Sequence, residues 1–256
     1  MTDGKFNIGC VIPIHGRAGL ADKTIARLSR QVNCNIRTVI VGDSDEDKET
    51  AKKAGVLSTY YSYRNSPLGA KWQFGIDILH NTNPEIDAYL HIGSDDWLSD
   101  AYCDTAMKML AADETMAMIG SKGFFVIDYR PDLYRLIYWP GYDQERAKEP
   151  IGAGRLIPRC TLDALNWNLF DVGLDSGLDY SMLKKILTLK KSVAMIVSEP
   201  VAVMGIKLPQ FEVKNGFDSF SKTAYSIIPM VAEVFLRNYF LDIFDIHATP
   251  EESKKE

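Results

Sequence analysis

The sequence predicts an α/β fold in which a mostly parallel β-sheet carries helices on both of its faces. Segments with strand and helix patterns alternate through the first half of the chain, as in proteins built from βαβ units. Polar clusters follow the strand patterns directly, which is where ligands collect in such sheets. The 256 residues are 46% hydrophobic and 25% charged, so the chain can bury one large core.

The elements of the first half can be assigned in order from their patterns. Short apolar or β-branched runs that stop at glycine or polar residues predict strands at 6–14, 36–42, 56–63, 86–92 and 115–127. Between them, apolar residues at helical spacing predict helices at 20–32, 68–81 and 99–113, and a charged segment closed by a glycine predicts one at 47–55. This alternation favours a parallel sheet.

The second half has a less regular pattern. Residues 128–160 are rich in aromatic residues, glycine and proline, which suits a long ordered loop or a small insertion. An amphipathic helix is predicted at 176–191, a strand within 192–205 and a helical segment at 221–246. The sequence contains no internal repeat and no low-complexity linker, so both halves are expected to share one core.

Composition and charge argue against several classes of protein. The formal net charge of -5 gives no overall basic field for nucleic acid, although a local patch stays open. The cysteines lack metal-site spacing, so reduced thiols are the simpler interpretation for Cys10, Cys34, Cys103 and Cys160. Residues 1–20 lack a secretory leader, and no apolar run is long enough for a transmembrane segment. These features predict a soluble, cytoplasmic protein.

Four polar clusters follow proposed strands, at 15–17, 43–47, 64–66 and 94–96. The carboxyl ends of parallel strands meet at one edge of a sheet, and ligands bind there. We therefore expect the four clusters to form one ligand-binding edge.

Two adjacent carboxylates, Asp95 and Asp96, follow the strand at 86–92. They repel each other and are costly to desolvate, so an arginine, a helix N-terminus or a divalent cation is expected beside them. One interpretation is a capping role for the helix that begins near Ser99. With Asp43 ending another strand, Mg²⁺ or Mn²⁺ is the better explanation, because both take carboxylate and phosphate oxygens.

The turn after the first strand carries no glycine-rich phosphate motif. Its sequence, PIHGRAGL, contains neither GxGxxG nor GxxxxGK[ST]. A ligand with phosphate groups would therefore be held by a metal and by side chains such as Arg17, Arg64 or Lys71.

Five segments, in this order, resemble the motifs of the family 2 glycosyltransferases, which have the GT-A fold. They are VIPIHGRA (11–18), RTVIVGDSDED (37–47), RNSPLGAKWQFGID (64–77), YLHIGSDDWL (89–98) and GRLIPRCTLDALNWNLFDVGLDSGLDYSML (154–183). The resemblance covers roughly residues 6–200. It implies a GT-A catalytic domain at 1–205, with a nucleotide-sugar-binding half at about 1–127 and an acceptor half at about 128–205.

The resemblance also implies which residues hold the donor. Asp43 takes the position of the aspartate that contacts the nucleobase in that family. The donor-binding residues implied by the matching segments are Pro13, His15, Arg17, Asp43, Asn65, Gly69, Lys71, Ser94 and Asp95. The family's metal motif falls on the acidic pair, so Asp95 and Asp96 are expected to bind Mn²⁺ or Mg²⁺.

Two positions depart from the family pattern. Gly93 stands where the family has the first aspartate of its metal motif, while Asp95 keeps the last one, which makes the usual metal contact. Leu178 stands where the family has the glutamate of a Gly–Glu–Asp triplet, and Asp179 keeps the catalytic base.

The implied chemistry explains these residue types. Glycosyl transfer breaks an anomeric bond through an oxocarbenium-like state, and a cation on Asp95 would stabilise the leaving diphosphate as a Lewis acid. The acceptor hydroxyl loses a proton as it attacks, and Asp179 is the candidate general base, a role typically worth ~10²–10⁴-fold. The alternative is that Asp179 is only a first-turn acid favoured by the helix dipole.

Residues 128–155 interleave tyrosine and tryptophan with arginine. A packed insertion is the simpler interpretation, and an acceptor-binding lid is the alternative, because aromatic faces stack on sugars and arginines pair with phosphates. The residues expected on the acceptor side are Trp97, Tyr138, Trp139, Arg155 and Leu178. A nucleic-acid acceptor with a hydroxylated base would also contact Lys184, Lys185, Lys190 and Lys191.

Residues 224–246 are apolar around much of a helical circumference, but Pro229 and the charges of Glu233, Arg237 and Asp242 argue against a membrane span. A helical extension at 206–248, packed on the catalytic domain, is expected. A homodimer contact or a membrane-surface contact is the second interpretation. His247 could act as a late metal ligand, as in some GT-A enzymes, and the tail at 249–256 is expected to be disordered.

The sequence thus predicts a metal-dependent, inverting glycosyltransferase that moves a hexose or pentose from a nucleoside-diphosphate donor, with a uridine base expected, to an acceptor hydroxyl. The acceptor is open between a glycan, a small molecule and modified nucleic acid, the last as in DNA modification of the phage type. A non-catalytic nucleotide-sugar-binding protein and a sugar-phosphate nucleotidyltransferase stay open as rival functions. A nucleotidyltransferase would be expected to carry a glycine-rich, basic loop after the first strand, and this chain has only Arg17 there.

Overall fold

The computed structural model describes residues 5–53, 57–130, 133–197, 201–207 and 217–245. The strands, in chain order, are β1 (Phe6–Pro13), β2 (Cys34–Gly42), β3 (Ser58–Ser62), β4 (Ala88–His91), β5 (Asp96–Leu98), β6 (Met116–Ser121), β7 (Phe124–Arg130), β8 (Leu133–Trp139), β9 (Arg155–Pro158), β10 (Ser192–Ile196), β11 (Val203–Lys207) and β12 (Tyr225–Ser226). The α-helices are α1 (Ala18–Leu28), α2 (Asp45–Lys53), α3 (Leu68–Thr82), α4 (Tyr102–Ala112), α5 (Arg159–Ala164), α6 (Leu178–Leu187), α7 (Phe217–Ser221) and α8 (Pro229–Tyr239).

The main sheet has seven strands in the order β10-β6-β9-β4-β1-β2-β3. Strands β4, β1, β2 and β3 are parallel to one another, and β6 is parallel to β10. Strand β9 runs antiparallel to its two neighbours in this sheet. The prediction of a mostly parallel sheet flanked by helices is confirmed.

Both faces of the main sheet are buried, and β1 shows why its sequence is a continuous apolar run. Ile8, Cys10 and Ile12 face a core that also contains residues of α1, α2 and α4. Val11 faces the opposite way, into a core that contains residues of α3, α5 and α6. Because successive side chains of a strand alternate between faces, a strand between two helical layers needs apolar residues at every position.

A second sheet, in the order β12-β8-β7-β11-β5, was not predicted. The strand predicted at 115–127 is two strands, β6 and β7, which lie in different sheets because the chain turns at Lys122 and Gly123. A Cβ atom on Gly123 would lie 2.4 Å from the carbonyl oxygen of Trp139, so only glycine allows this close approach. Residues 128–160, predicted as a loop or insertion, contribute the end of β7 and all of β8 and β9.

The pairing of β5 with β11 sets the position of the acidic pair. These strands are antiparallel, with Gly205 opposite Asp96 and Met204 opposite Trp97. The backbone N–H of Ile206 donates to the carbonyl oxygen of Asp95 at 2.8 Å. This register brings the end of β11 against the acidic pair, although the two segments are far apart in the sequence.

The segment predicted as one helix at 221–246 is interrupted. It contains β12, then α8, which begins at Pro229, and then a short 3₁₀ turn at Leu241–Asp245. Proline suits the first turn of a helix because its missing N–H would be unpaired there in any case. Helix α8 buries Leu236 against the second sheet, in a core shared with Trp97 and Met204.

No helix in the described ranges combines the length and the apolar composition that crossing a bilayer requires. The predicted metal ligand His247 and the predicted disordered tail at 249–256 lie outside the described residues. A homodimer contact through the C-terminal segment stays a prediction.

Candidate active site

The carboxyl ends of β1, β2 and β4 lie side by side, and the polar residues that follow them meet. His15 Nδ1 lies 3.1 Å from Asp43 Oδ1, which joins the turn after β1 to the turn after β2. Arg17 Nη1 lies 3.3 Å from Asp95 Oδ2, which joins the first turn to the acidic pair after β4. Polar clusters that the sequence placed after separate strands therefore form one continuous polar edge.

Asp95 already has two positive partners within the chain. The Lys207 ammonium donates to Asp95 Oδ2 at 2.6 Å, and the guanidinium of Arg17 approaches the same oxygen. Lys207 is the last residue of β11, and its side chain is 9% exposed. Burial raises the pKa of Asp95, but the charges of Lys207 and Arg17 outweigh that effect and lower the pKa below its usual value.

Asp96 is held differently from its neighbour. Its Oδ2 accepts a hydrogen bond of 3.0 Å from the backbone N–H of Gly93. Burial and the negative charge of Asp95 raise the pKa of Asp96 to about 7, and the charge of Asp179 acts in the same direction. The acidic pair and Asp179 are therefore close enough to belong to one electrostatic site.

The side chains around Asp95 do not fit the predicted Mn²⁺ or Mg²⁺. A divalent cation on Asp95 Oδ2 would lie against the Lys207 ammonium and the Arg17 guanidinium, and unit charges 4 Å apart interact by ~4 kcal/mol at an effective dielectric constant of ~20. Within the described ranges, no group of three or more His, Cys, Asp and Glu side chains is placed to hold a metal. The positive partner expected beside Asp95 is therefore supplied by two side chains of the same chain, Lys207 and Arg17.

The other end of the edge is built around Asp43. Burial raises its pKa, but the hydrogen bond with His15 and the charge of Lys71 outweigh that effect and lower the pKa. Asp43 N–H donates to Asp47 Oδ2 at 3.1 Å, which fixes the backbone at the end of β2. With 24% of its side chain exposed, Asp43 can accept a hydrogen bond from a ligand.

Lys71, predicted to contact the donor phosphates, lies beneath this edge. Its ammonium donates to the carbonyl oxygen of Ile14 at 2.6 Å and to Asn65 Oδ1 at 3.1 Å, and its side chain is fully buried. Burial lowers its pKa, while the charges of Asp43 and Asp47 oppose that effect. Lys71 therefore supports Asn65 and Asp43 from below, and a bound phosphate would not reach it in this structure.

Asp179 lies in the first turn of α6 with its carboxylate held by a histidine. His91 Nε2 lies 2.9 Å from Asp179 Oδ1, and His91 Nδ1 lies 3.2 Å from the hydroxyl of Tyr89. Desolvation raises the pKa of Asp179, but the His91 hydrogen bond and the charges of His91, Arg155 and Arg146 lower it to about 2. Asp179 is therefore ionised at neutral pH, and 41% of its side chain is exposed.

The Asp179 carboxylate packs directly against a glycine. A Cβ atom on Gly152 would lie 2.1 Å from Asp179 Oδ2, so only glycine allows the carboxylate to take this position. Gly152 and His91 together therefore fix where the carboxylate lies. Arg146 stacks over the ring of Tyr142 at 3.6 Å and over that of Tyr180 at 5.3 Å, and the charge of Asp179 raises the pKa of Tyr142, after the larger effect of burial. Aromatic rings and an arginine therefore stand near the proposed base.

Several residues predicted on the acceptor side are inside the protein. Trp97 is 1% exposed and Leu178 is 7% exposed, and both pack in hydrophobic cores. Arg155 is fully buried, and its donors go to the carbonyl oxygens of Ile151, Pro150 and Asp179 and to the Glu149 carboxylate. Arg155 positions the start of α6, and none of the three residues faces an acceptor in this structure.

Of the remaining predicted residues, some pack inside the protein and others lie at the polar edge. Gly69 is buried, and a Cβ there would lie 2.1 Å from the carbonyl oxygen of Asp171. Trp139 donates from Nε1 to Thr223 Oγ1 at 3.1 Å and packs at right angles to Tyr142, while Tyr138 packs on Phe125. Ser94 is buried with its carbonyl oxygen accepting from the Thr24 hydroxyl at 2.9 Å, and Pro13 ends β1 beside the edge.

Two residues of the site, Lys207 and His91, were not predicted, and Asp47 was predicted only as part of the polar cluster at 43–47. Lys207 directly follows a buried apolar run, as Asp43 and Asp95 do, so the same pattern of a polar residue after a strand could have found it. His91 lacks metal-ligand spacing in the sequence, and its role toward Asp179 depends on two segments 88 residues apart. Asp47 has the pattern of an acid in the first turn of a helix, and only the structure shows it holding the Asp43 backbone.

The fold is the GT-A fold, and three solved structures share it. The mannosyltransferase PcManGT from Pyrobaculum calidifontis, in complex with GDP-Man and Mn²⁺, matches with a TM-score of 0.52 and 13% sequence identity over 79% of this chain. TarS from S. aureus matches with a TM-score of 0.57 and 11% identity over 78% of this chain. The 1–349 part of TarS matches with a TM-score of 0.52 and 12% identity over 78%.

These similarities extend to only part of the solved proteins. This chain covers 57% of PcManGT, 37% of TarS and 60% of its 1–349 part. No protein-family model and no curated protein matches the sequence. At these identities the comparisons show the fold, and the activity has to be argued from the site.

Proposed function

We propose that this chain is a glycosyltransferase that moves a sugar from a nucleoside-diphosphate donor to an acceptor hydroxyl, with inversion at the anomeric carbon. The observation that carries the proposal is the ionised Asp179, whose carboxylate is held by His91 through one oxygen, packs against Gly152 and belongs to a side chain that is 41% exposed. It lies in the same electrostatic site as the acidic pair at the carboxyl edge of the sheet.

The donor is assigned to the edge formed by the ends of β1, β2 and β4. Asp43 is ionised, partly exposed and fixed by His15 and Asp47, so it can accept a hydrogen bond from the base or ribose. The GDP-Man bound to the Pyrobaculum calidifontis enzyme supports a nucleoside-diphosphate sugar as the class of donor. A uridine base is our proposal from the family resemblance.

The transfer itself needs one proton acceptor and one way to stabilise negative charge. The acceptor oxygen forms a bond to the anomeric carbon while the bond from that carbon to the diphosphate oxygen breaks, and the diphosphate leaves with the electron pair. Asp179 takes the hydroxyl proton during the attack. Lys207 and Arg17 are positive groups in contact with Asp95, and we assign the donor diphosphate to this part of the edge.

The acceptor stays open between a glycan, a small molecule and modified nucleic acid. Tyr142, Arg146 and Tyr180 are the exposed or partly exposed groups near Asp179 that could contact it. Of the lysines considered for nucleic acid, Lys185 is occupied by an ion pair of 3.0 Å with Asp171, and Lys184 lies over the Tyr180 ring. A cytoplasmic location also stays a prediction.

The experiment that tests the proposal incubates the purified chain with UDP- and GDP-sugars and a cell extract. We expect release of the nucleoside diphosphate together with a product whose mass has increased by one sugar residue. Donor binding without release or transfer would identify a non-catalytic nucleotide-sugar-binding protein instead. Formation of a nucleoside-diphosphate sugar from an added nucleoside triphosphate and sugar phosphate, with release of pyrophosphate, would identify a nucleotidyltransferase.

A further inference from the structure

The two cationic side chains in contact with Asp95 support an inference that goes beyond the proposed function and rests on it. We infer that Lys207 and Arg17 replace the divalent cation at this site, so that the donor diphosphate binds to two cationic side chains without a metal. The substrate class is unchanged, and the inference concerns which groups neutralise its phosphates.

Lys207 and Arg17 supply positive charge at Asp95. Lys207 and Arg17 both approach Asp95 Oδ2, at 2.6 and 3.3 Å. Two monovalent cations carry the same formal charge as one Mn²⁺ or Mg²⁺, at the same carboxylate that was expected to hold the metal. A further divalent cation would be repelled by both groups and would have to displace at least one of them.

Strand pairing holds Lys207 in this position. Lys207 is the last residue of β11. In the sheet its backbone lies opposite Asp128 of the parallel strand β7. On the other side β11 pairs with β5, where Gly205 lies opposite Asp96. The hydrogen bond from Ile206 N–H to the Asp95 carbonyl oxygen fixes the same register. The ammonium is therefore held at Asp95 by the backbone of two paired strands and by its own burial.

Arg17 keeps an unused hydrogen-bond donor. Its Nη1 atom is buried and has no hydrogen-bond partner among the described residues, although it lies in ion-pair distance of Asp95. A buried unsatisfied donor is costly, and a phosphate oxygen is a strong acceptor for a guanidinium. The Arg17 side chain is 25% exposed at the carboxyl edge, so a ligand can contact its exposed part, and Nη1 becomes available to that ligand when the side chain turns.

The test measures the binding of UDP and of GDP to the full chain by calorimetry, once in EDTA and once in Mn²⁺. We expect dissociation constants in the two buffers that agree within about twofold, and Lys207→Gln to weaken binding at least about tenfold in both. Lys207→Arg should retain binding, since it keeps the charge. Lys108→Gln, which removes the lysine of another Lys–Asp pair, on α4, is the matched control and should bind as the wild type does.

Asp95→Asn separates the two explanations even if Lys207→Gln does not fold. If Asp95 holds a metal, this variant loses nucleotide binding; if Lys207 and Arg17 hold the phosphates, it binds in EDTA at least as tightly as the wild type. Binding that requires Mn²⁺ and is lost in Asp95→Asn would overturn the inference but leave the proposed function intact. Absence of nucleotide binding in both buffers would overturn both.

Discussion

The imidazole of His91 holds the Asp179 carboxylate through a contact of 2.9 Å between Nε2 and Oδ1, while the Tyr89 hydroxyl contacts the other ring nitrogen. His91 is the last residue of β4, a central strand of the main sheet, and Asp179 is in the first turn of α6. A rigid strand thus orients a carboxylate that lies on a helix end. Such orientation is what a general base requires, because proton transfer depends on geometry before pKa.

His91→Gln should lower kcat by about tenfold to a hundredfold, part of the ~10²–10⁴-fold that general-base assistance is worth. Because the His91 hydrogen bond holds the pKa of Asp179 down at about 2, its loss should raise that pKa toward the ordinary value of 3.8. The protonated, inactive form of the base then persists to higher pH, so the acid limb of the kcat/KM profile moves upward. Carboxyl NMR titration measures the same shift directly.

A purely structural role for His91 would change stability but leave the pH profile in place. The control is His80→Gln, since His80 is an exposed histidine on α3 that stacks on Trp167 away from the site. It should leave both kcat and the acid limb unchanged. An unmoved acid limb in His91→Gln would count against a positioning role.

Gly152→Ala should impair transfer while leaving donor binding unchanged. The new Cβ would lie 2.1 Å from Asp179 Oδ2, so the carboxylate has to move from the position in which His91 holds it. We expect kcat to fall at least about tenfold, as for other misplaced catalytic groups, with the nucleotide dissociation constant unaltered. Gly173→Ala is the matched control, because nothing lies within 4 Å of its Cβ position. Equal activities of the two variants would contradict the assignment of the Asp179 carboxylate as the positioned base.

Asp43→Asn should weaken nucleotide binding about tenfold, the effect of losing one charge-assisted hydrogen bond. Asp45→Asn on the same turn removes an equal charge from an exposed position and should bind normally. Calorimetry with UDP measures both. A weaker dissociation constant in both variants would indicate a general electrostatic effect and not a specific contact by Asp43.

Trp97→Ala should destabilise the fold by ~3–5 kcal/mol, the usual cost of truncating a buried tryptophan. Trp97→Phe should retain the acceptor KM, because the ring fills the core between the second sheet and α8 and does not reach the site. Denaturant unfolding and steady-state kinetics separate these effects. A raised acceptor KM in a stable Trp97→Phe protein would restore the predicted acceptor role.

The sequence was informative where structure follows from local pattern. The strand ends could be located because apolar runs stop at polar residues, and parallel strands bring those ends together. The meeting of His15 with Asp43 and of Arg17 with Asp95 follows from this rule. Strand β8 escaped prediction because arginine and tyrosine interrupt its apolar pattern.

The partners of the two key carboxylates could not be read from the sequence. The contact of Lys207 with Asp95 joins residues 112 positions apart and depends on the register of β11 with β5. The position of Trp97 directly after the acidic pair suggested a role toward the acceptor. It lies next to Asp96 in a strand, however, where neighbouring side chains face opposite sides, and so it enters the core.

The most direct test of the account compares Asp179→Asn with the wild type in sugar transfer and in donor binding. The amide keeps the shape of the side chain but cannot accept the hydroxyl proton as a carboxylate does. We predict that transfer falls by about 10²-fold or more, while calorimetry shows an unchanged dissociation constant for the donor. Transfer at the wild-type rate by Asp179→Asn would contradict the assignment of the base and with it the proposed mechanism.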